Sequence, residues 1–112
     1  MTKGKDLQNN EIIIELKGKR YSLNFDLNAM AELEDKYGSM NAAIKELKSK
    51  KMSAVRTFLY AVLKSSDEQL TEFEVGKLID MNNFNKLEKA LTKLINTAFE
   101  EDEDKKVKSS KN

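Results

Sequence analysis

Residues 11 to 38 constrain this chain most: two short alternating segments, a two-residue turn between them, and a capped amphipathic helix directly after. In Glu11-Ile12-Ile13-Ile14-Glu15-Leu16 the side chains of Ile12, Ile14 and Leu16 share one face, because strand side chains alternate. Lys17-Gly18 supplies a tight turn, with Gly18 able to take the positive φ that a short hairpin needs. The return segment, Lys19 to Phe25, alternates again: Tyr21, Leu23 and Phe25 are apolar, and Arg20, Ser22 and Asn24 are polar. Asp26 stands at the N-cap of a helix over 27–37, its carboxylate in reach of the first free backbone N–H groups. A lone hairpin with an apolar face is not stable in water, so it must lie on the helices that follow.

Beyond the hairpin the periodicity is helical. Leu27, Met30, Leu33 and Tyr37 fall on one stripe, and Gly38 is placed to end that helix in a left-handed conformation. Ser39 caps a second helix at once, with Met40, Ala43, Ile44 and Leu47 facing inward. Lys48-Ser49-Lys50-Lys51 breaks the apolar pattern and marks a solvated bend. A third helix over 52–64 carries Val55, Phe58, Leu59, Val62 and Leu63, a band broad enough for a central helix touched on two sides. Thr71-Glu72-Phe73-Glu74 is a capping box that opens a fourth helix running to about Asp80, with Val75, Leu78 and Ile79 buried. Asp80-Met81-Asn82-Asn83 reads as a turn in which Asn82 or Asn83 caps a fifth helix, whose Leu87, Leu91, Leu94 and Ala98 share a face.

The expected fold class is α+β, mostly α: an N-terminal β-hairpin followed by about five short helices in a single compact domain over 11–99. Residues 1–10 are polar and aperiodic, the pattern of a disordered leader. Over 100–112 the block Glu100-Glu101-Asp102-Glu103-Asp104, followed by Lys105-Lys106, predicts a disordered tail, since like charges repel and stay solvated.

Missing residue types exclude most chemistry. The chain has neither histidine nor cysteine, which removes the commonest general base, the thiolate nucleophile and the usual transition-metal ligands. None of the four glycines, at 4, 18, 38 and 76, belongs to a phosphate-binding loop. The carboxylates at Glu32/Glu34/Asp35 and Glu72/Glu74 read as solvated helix faces, with pairs such as Glu32 and Lys36 one turn apart. A calcium loop starting at Asp80 fails: Asn82 fits position 3, but Phe84, Asn85 and Leu91 occupy positions 5, 6 and 12. No enzyme activity, cofactor or metal is expected.

Twenty basic residues against nineteen acidic ones give a formal charge of +1, poor for gripping phosphates. Lys45, Lys48, Lys50, Lys51, Arg56 and Lys64 read as solubilising charge. No segment approaches the roughly 20 apolar residues of a membrane span, and the first ten residues lack the apolar stretch of a secretory signal, so the cytoplasm is the expected location.

Partner binding has better support. Ile13 is apolar on the hairpin face opposite Ile12 and Ile14, and Tyr60, Met81 and Phe84 fall outside the main stripes of their helices. These four are the candidate partner-binding residues, and the hairpin edges are candidates for self-association. A small helix-turn-helix DNA-binding regulator is the alternative, offering Asn85, Lys86 and Lys89 to DNA, with Glu88 and the acidic block opposing the phosphates.

The succession of the hairpin, Phe25-Asp26-Leu27-Asn28-Ala29-Met30-Ala31-Glu32-Leu33-Glu34, Leu59-Tyr60-Ala61-Val62-Leu63 and Leu70-Thr71-Glu72-Phe73-Glu74-Val75-Gly76-Lys77-Leu78-Ile79-Asp80 resembles the tail assembly chaperones of long-tailed bacteriophages, in the version from phages and prophages of Gram-positive hosts. The resemblance spans about residues 11 to 99. It implies a small, mostly α, non-catalytic protein of the host cytoplasm, absent from the mature virion. Such a protein binds the tape-measure protein, keeps it soluble and helps recruit tail-tube subunits. In many such phages a ribosomal frameshift near the end of the gene makes a longer form, and Lys105-Lys106 is compatible with a slippery adenine run. No binding residue is carried over, only the scaffold.

Overall fold

The computed structural model describes the backbone from Glu11 to Ser110 and the side chains as far as Phe99. Strands β1 (Glu11–Leu16) and β2 (Lys19–Asn24) form an antiparallel hairpin. Five helices follow: α1 (Leu27–Tyr37), α2 (Met40–Lys48), α3 (Met52–Lys64), α4 (Glu72–Gly76) and α5 (Phe84–Ser110). The result is the expected mostly helical domain with an N-terminal hairpin. The expected leader over 1–10 lies outside the described residues. So does the side-chain environment of the expected tail over 100–112, through most of which the helical backbone of α5 runs on.

The hairpin register pairs Ile12 with Leu23, Ile14 with Tyr21 and Leu16 with Lys19. Ile14, Leu16, Leu23 and the following Phe25 are buried, so the alternation read from the sequence sets the inner face. Lys17 and Gly18 both take positive φ, 53° and 78°, the backbone that matches the right-handed twist of two tightly joined strands. Asp26 accepts from the Ala29 N–H at 3.0 Å, and Ser39 does the same for Ala42 at 3.0 Å. Gly38 closes α1 at φ 93°, a left-handed residue whose N–H bonds back to Glu34.

Helix α3 organises the core. It packs against β2 and all four other helices, and buries Val55, Phe58, Leu59, Val62 and Leu63 together with Ala54, Thr57 and Ala61. Its one buried hydroxyl, Thr57, donates to the Glu72 carboxylate at 2.8 Å, which links α3 to the start of α4. From α5, Leu87, Leu91 and Leu94 enter the same core, and Phe25 meets Phe99 edge-on with ring centres 6.0 Å apart.

Four local expectations need correction. Leu27 is 77% exposed, and the buried positions of α1 are Ala29 and Leu33. At about 100° per residue Leu27 lies roughly 120° around the helix from Leu33, off the inner stripe. The fourth helix ends at Gly76 rather than near Asp80: Lys77, Leu78 and Ile79 donate three residues back, a tightening that ends an α-helix. Asn83 does not use its side chain as a forward cap for α5; its amide folds back onto the preceding turn. Finally, Glu32 pairs with Lys64 of α3 at 3.3 Å, a contact between helices where a pair with Lys36 is expected.

Candidate functional site

The corner between α4 and α5 is held by a closed set of hydrogen bonds. Asp80 accepts from the Asn82 and Asn83 N–H groups, both at 2.9 Å. Asn83 returns the favour: its Oδ1 accepts from the Asp80 N–H and its Nδ2 donates to the Leu78 carbonyl, again both at 2.9 Å. The second carboxylate oxygen of Asp80 receives Lys17 Nζ from the hairpin turn at 2.7 Å. One residue of α5 extends the tie, with Lys86 Nζ donating to the Glu15 carbonyl on the β1 edge at 3.0 Å. A five-bond turn of this kind is stiff, and it dictates what its apolar residues can do.

The consequence is that Met81 points away from the core, 75% exposed. Beside it, the start of α3 leaves Met52 61% exposed, and Phe84 and Ile79 sit half-buried between them. Together with Ser53, Arg56, Gly76 and Asp80 these residues line an open groove of about 320 Å³. Gly76 shapes its wall: a Cβ there would stand 3.3 Å from Arg56 Cδ, so the bare glycine lets the arginine stem lie close across α4. Phe73, one turn earlier on α4, is 72% exposed, with Lys77 Nζ 4.8 Å from its ring centre. Larger concavities elsewhere are polar, such as the face of Lys50, Lys89 and Lys93 with Glu88, Thr92, Asn96 and Thr97.

The structure brings two of the four sequence-predicted residues together, Met81 and Phe84. Ile13, 51% exposed, lies apart on the outer face of the hairpin opposite Ser22. Tyr60 is half-buried against the core, with the Lys64 ammonium 5.3 Å from its ring centre. Met52 and Phe73 are not among the candidates read from the sequence, Ile79 is half-buried where burial is expected, and Arg56, read as solubilising charge, lines the groove. Met52 and Phe73 did carry a signal, since each sits in a helix's first turn beyond the apolar stripe; the approach of Arg56 to Gly76 is tertiary and leaves none.

The groove's chemistry is that of contact. Asp80 is its one carboxylate, and the hydrogen bond from Lys17, helped by the Asn83 and Asn82 N–H groups, holds its pKa below the ordinary value. A carboxylate made more acidic and already engaged is a weak proton acceptor. Among the described residues no three His, Cys, Asp or Glu side chains converge as metal ligands, and no helix is long and apolar enough to cross a membrane. Comparison with protein-family models, with curated proteins and with solved structures finds no match.

Proposed function

We propose that this protein is a non-enzymatic phage or prophage tail assembly chaperone, which binds the tape-measure protein and helps recruit tail-tube subunits during tail morphogenesis. The observation that carries the reading is the exposed, methionine-lined groove of Met52, Ile79, Met81 and Phe84, where two of the exposed large apolar side chains come together. Contiguous apolar surface beside a tightly bonded turn costs solubility, and a protein that shields another's apolar helices has a use for it. The resemblance in motif order supports the same reading, since a small, mostly helical domain behind an N-terminal hairpin is the scaffold it implies. Self-association belongs to the hairpin edges, where Ile13 stands out from the outer face.

The DNA-binding alternative draws less support. Its proposed reading helix begins with Asn85 and Lys86, and Lys86 already spends its ammonium on the Glu15 carbonyl. Its preceding helix, α4, has five residues only.

Co-expression with the tape-measure protein of the same genome tests the proposal. The expected result is soluble tape-measure protein that co-purifies with this chain in a salt-resistant complex. Unchanged solubility with no complex would remove the reading, and salt-sensitive binding to duplex DNA would replace it with the regulator.

A further inference from the structure

The groove is not balanced in charge. Asp80 is already paired with Lys17 at 2.7 Å and accepts from two backbone N–H groups, so most of its charge is matched within the protein. Arg56 is exposed, its stem lying against Gly76, and among the described residues it has no carboxylate within ion-pair distance. Lys77, next in the chain to Gly76, is likewise exposed and lies over the face of Phe73 rather than beside an acid. Among the described residues, Arg56 is therefore the one cation lining an apolar trough whose own acid is already paired. An occupant that fills the trough gains most by bringing a carboxylate with it, because that pair forms where water is partly excluded.

We propose that this groove is the docking site for one amphipathic helix of a partner protein, carrying a glutamate or aspartate one turn from a stripe of large apolar residues. The carboxylate meets Arg56, while the apolar side chains enter between Met52, Ile79, Met81 and Phe84. The occupant is a helix because the groove is walled by helix ends and a turn, with no strand edge to satisfy an extended backbone. Two methionines in the wall suit the task, since their unbranched thioether chains adapt to side chains of different shape. This deepens the chaperone reading and rests on it only for the class of partner.

The full chain, with its five methionine methyls labelled with carbon-13, provides the test. The probes are two synthetic amphipathic helical peptides with the same Leu/Phe stripe, differing by one residue beside it, Glu in one and Lys in the other. The Glu peptide is expected to shift the Met52 and Met81 methyls, leave the half-buried Met30 and Met40 in place, and bind at least tenfold more tightly than the Lys peptide. Arg56→Glu, at an exposed position that leaves the core intact, is expected to invert that preference, and Arg56→Gln to abolish it. Equal affinity for both peptides, binding that leaves Met52 and Met81 unmoved, or no binding of either peptide overturns the proposal. Met52 and Met81 shifts that depend on dilution of the protein alone also overturn it and assign the groove to a second copy. Because the tape-measure protein is not used, a docked Glu peptide with a failed co-expression would sink the chaperone reading and leave the groove standing. A tape-measure complex with a silent groove would do the reverse.

Discussion

The hairpin end and the α4–α5 corner use similar means to different ends. Each is a few residues long, each turns on a tight hydrogen-bonded loop, and Lys17 with Asp80 joins the two. Yet the hairpin buries its inner face, with Leu16, Leu23 and Phe25 sealed from solvent, while the corner leaves Phe73 and Met81 outside. The difference lies in period. Six alternating residues make a complete apolar face, whereas α4, five residues long, has room to bury only Val75. The apolar residues beyond it are placed by the turn, and the turn points them outward.

Substitutions on the two sides should therefore separate stability from binding. Phe25→Ala, which empties a sealed position and removes the contact with Phe99, is expected to cost about 3–5 kcal/mol in urea unfolding. A loss below about 1 kcal/mol would mean the hairpin is not part of the core. Gly38→Ala forces a side chain into φ 93° and should cost about 1–2 kcal/mol despite open space around the residue. Thr71→Ala, which opens the capping box with Glu74, should cost about 1 kcal/mol, and a calorimetric scan would read it as a lower Tm. At the other extreme, Met81→Glu should change unfolding stability by no more than about 0.5 kcal/mol while reducing capture of the tape-measure protein. If Met81→Glu destabilises as much as Thr71→Ala, the corner is core and the comparison fails.

The smallest expected effect is a pH dependence. The folded-state pKa of Asp80 lies below its ordinary value, so its pairing stabilises the protein above the ordinary carboxylate pKa of about 3.9 and is lost as pH falls through the folded value. Unfolding midpoints measured downward from pH 5 should show Asp80→Asn losing less stability than the parent. Asp80 is half-buried and its ion pair with Lys17 lies at the surface, so the difference is modest. Identical acid profiles would dismiss the Lys17–Asp80 tie as a stabilising contact.

Local chemistry was legible where one residue and its chain neighbours decide the outcome. Asp26, Ser39 and Thr71 cap as their side chains dictate, and Gly38 takes the left-handed backbone that it alone adopts without strain. What depends on contacts between elements was not legible. Leu27 carries an inner-stripe residue type on the wrong side of its helix. Glu32 has a lysine one turn away in sequence but meets one 32 residues off. The groove was half legible: Met81 and Phe84 stand outside any stripe, whereas Arg56 and Gly76 acquire their role only when α3 crosses α4.

Amide hydrogen exchange on the chain, alone and mixed with its tape-measure protein, bears most directly on the claim that this domain works by lending contact surface. Added protection is expected over 52–56 and 76–84, with the hairpin core exchanging as it does in the free protein. Protection that appears nowhere, or only along the outer face around Ile13, would contradict it.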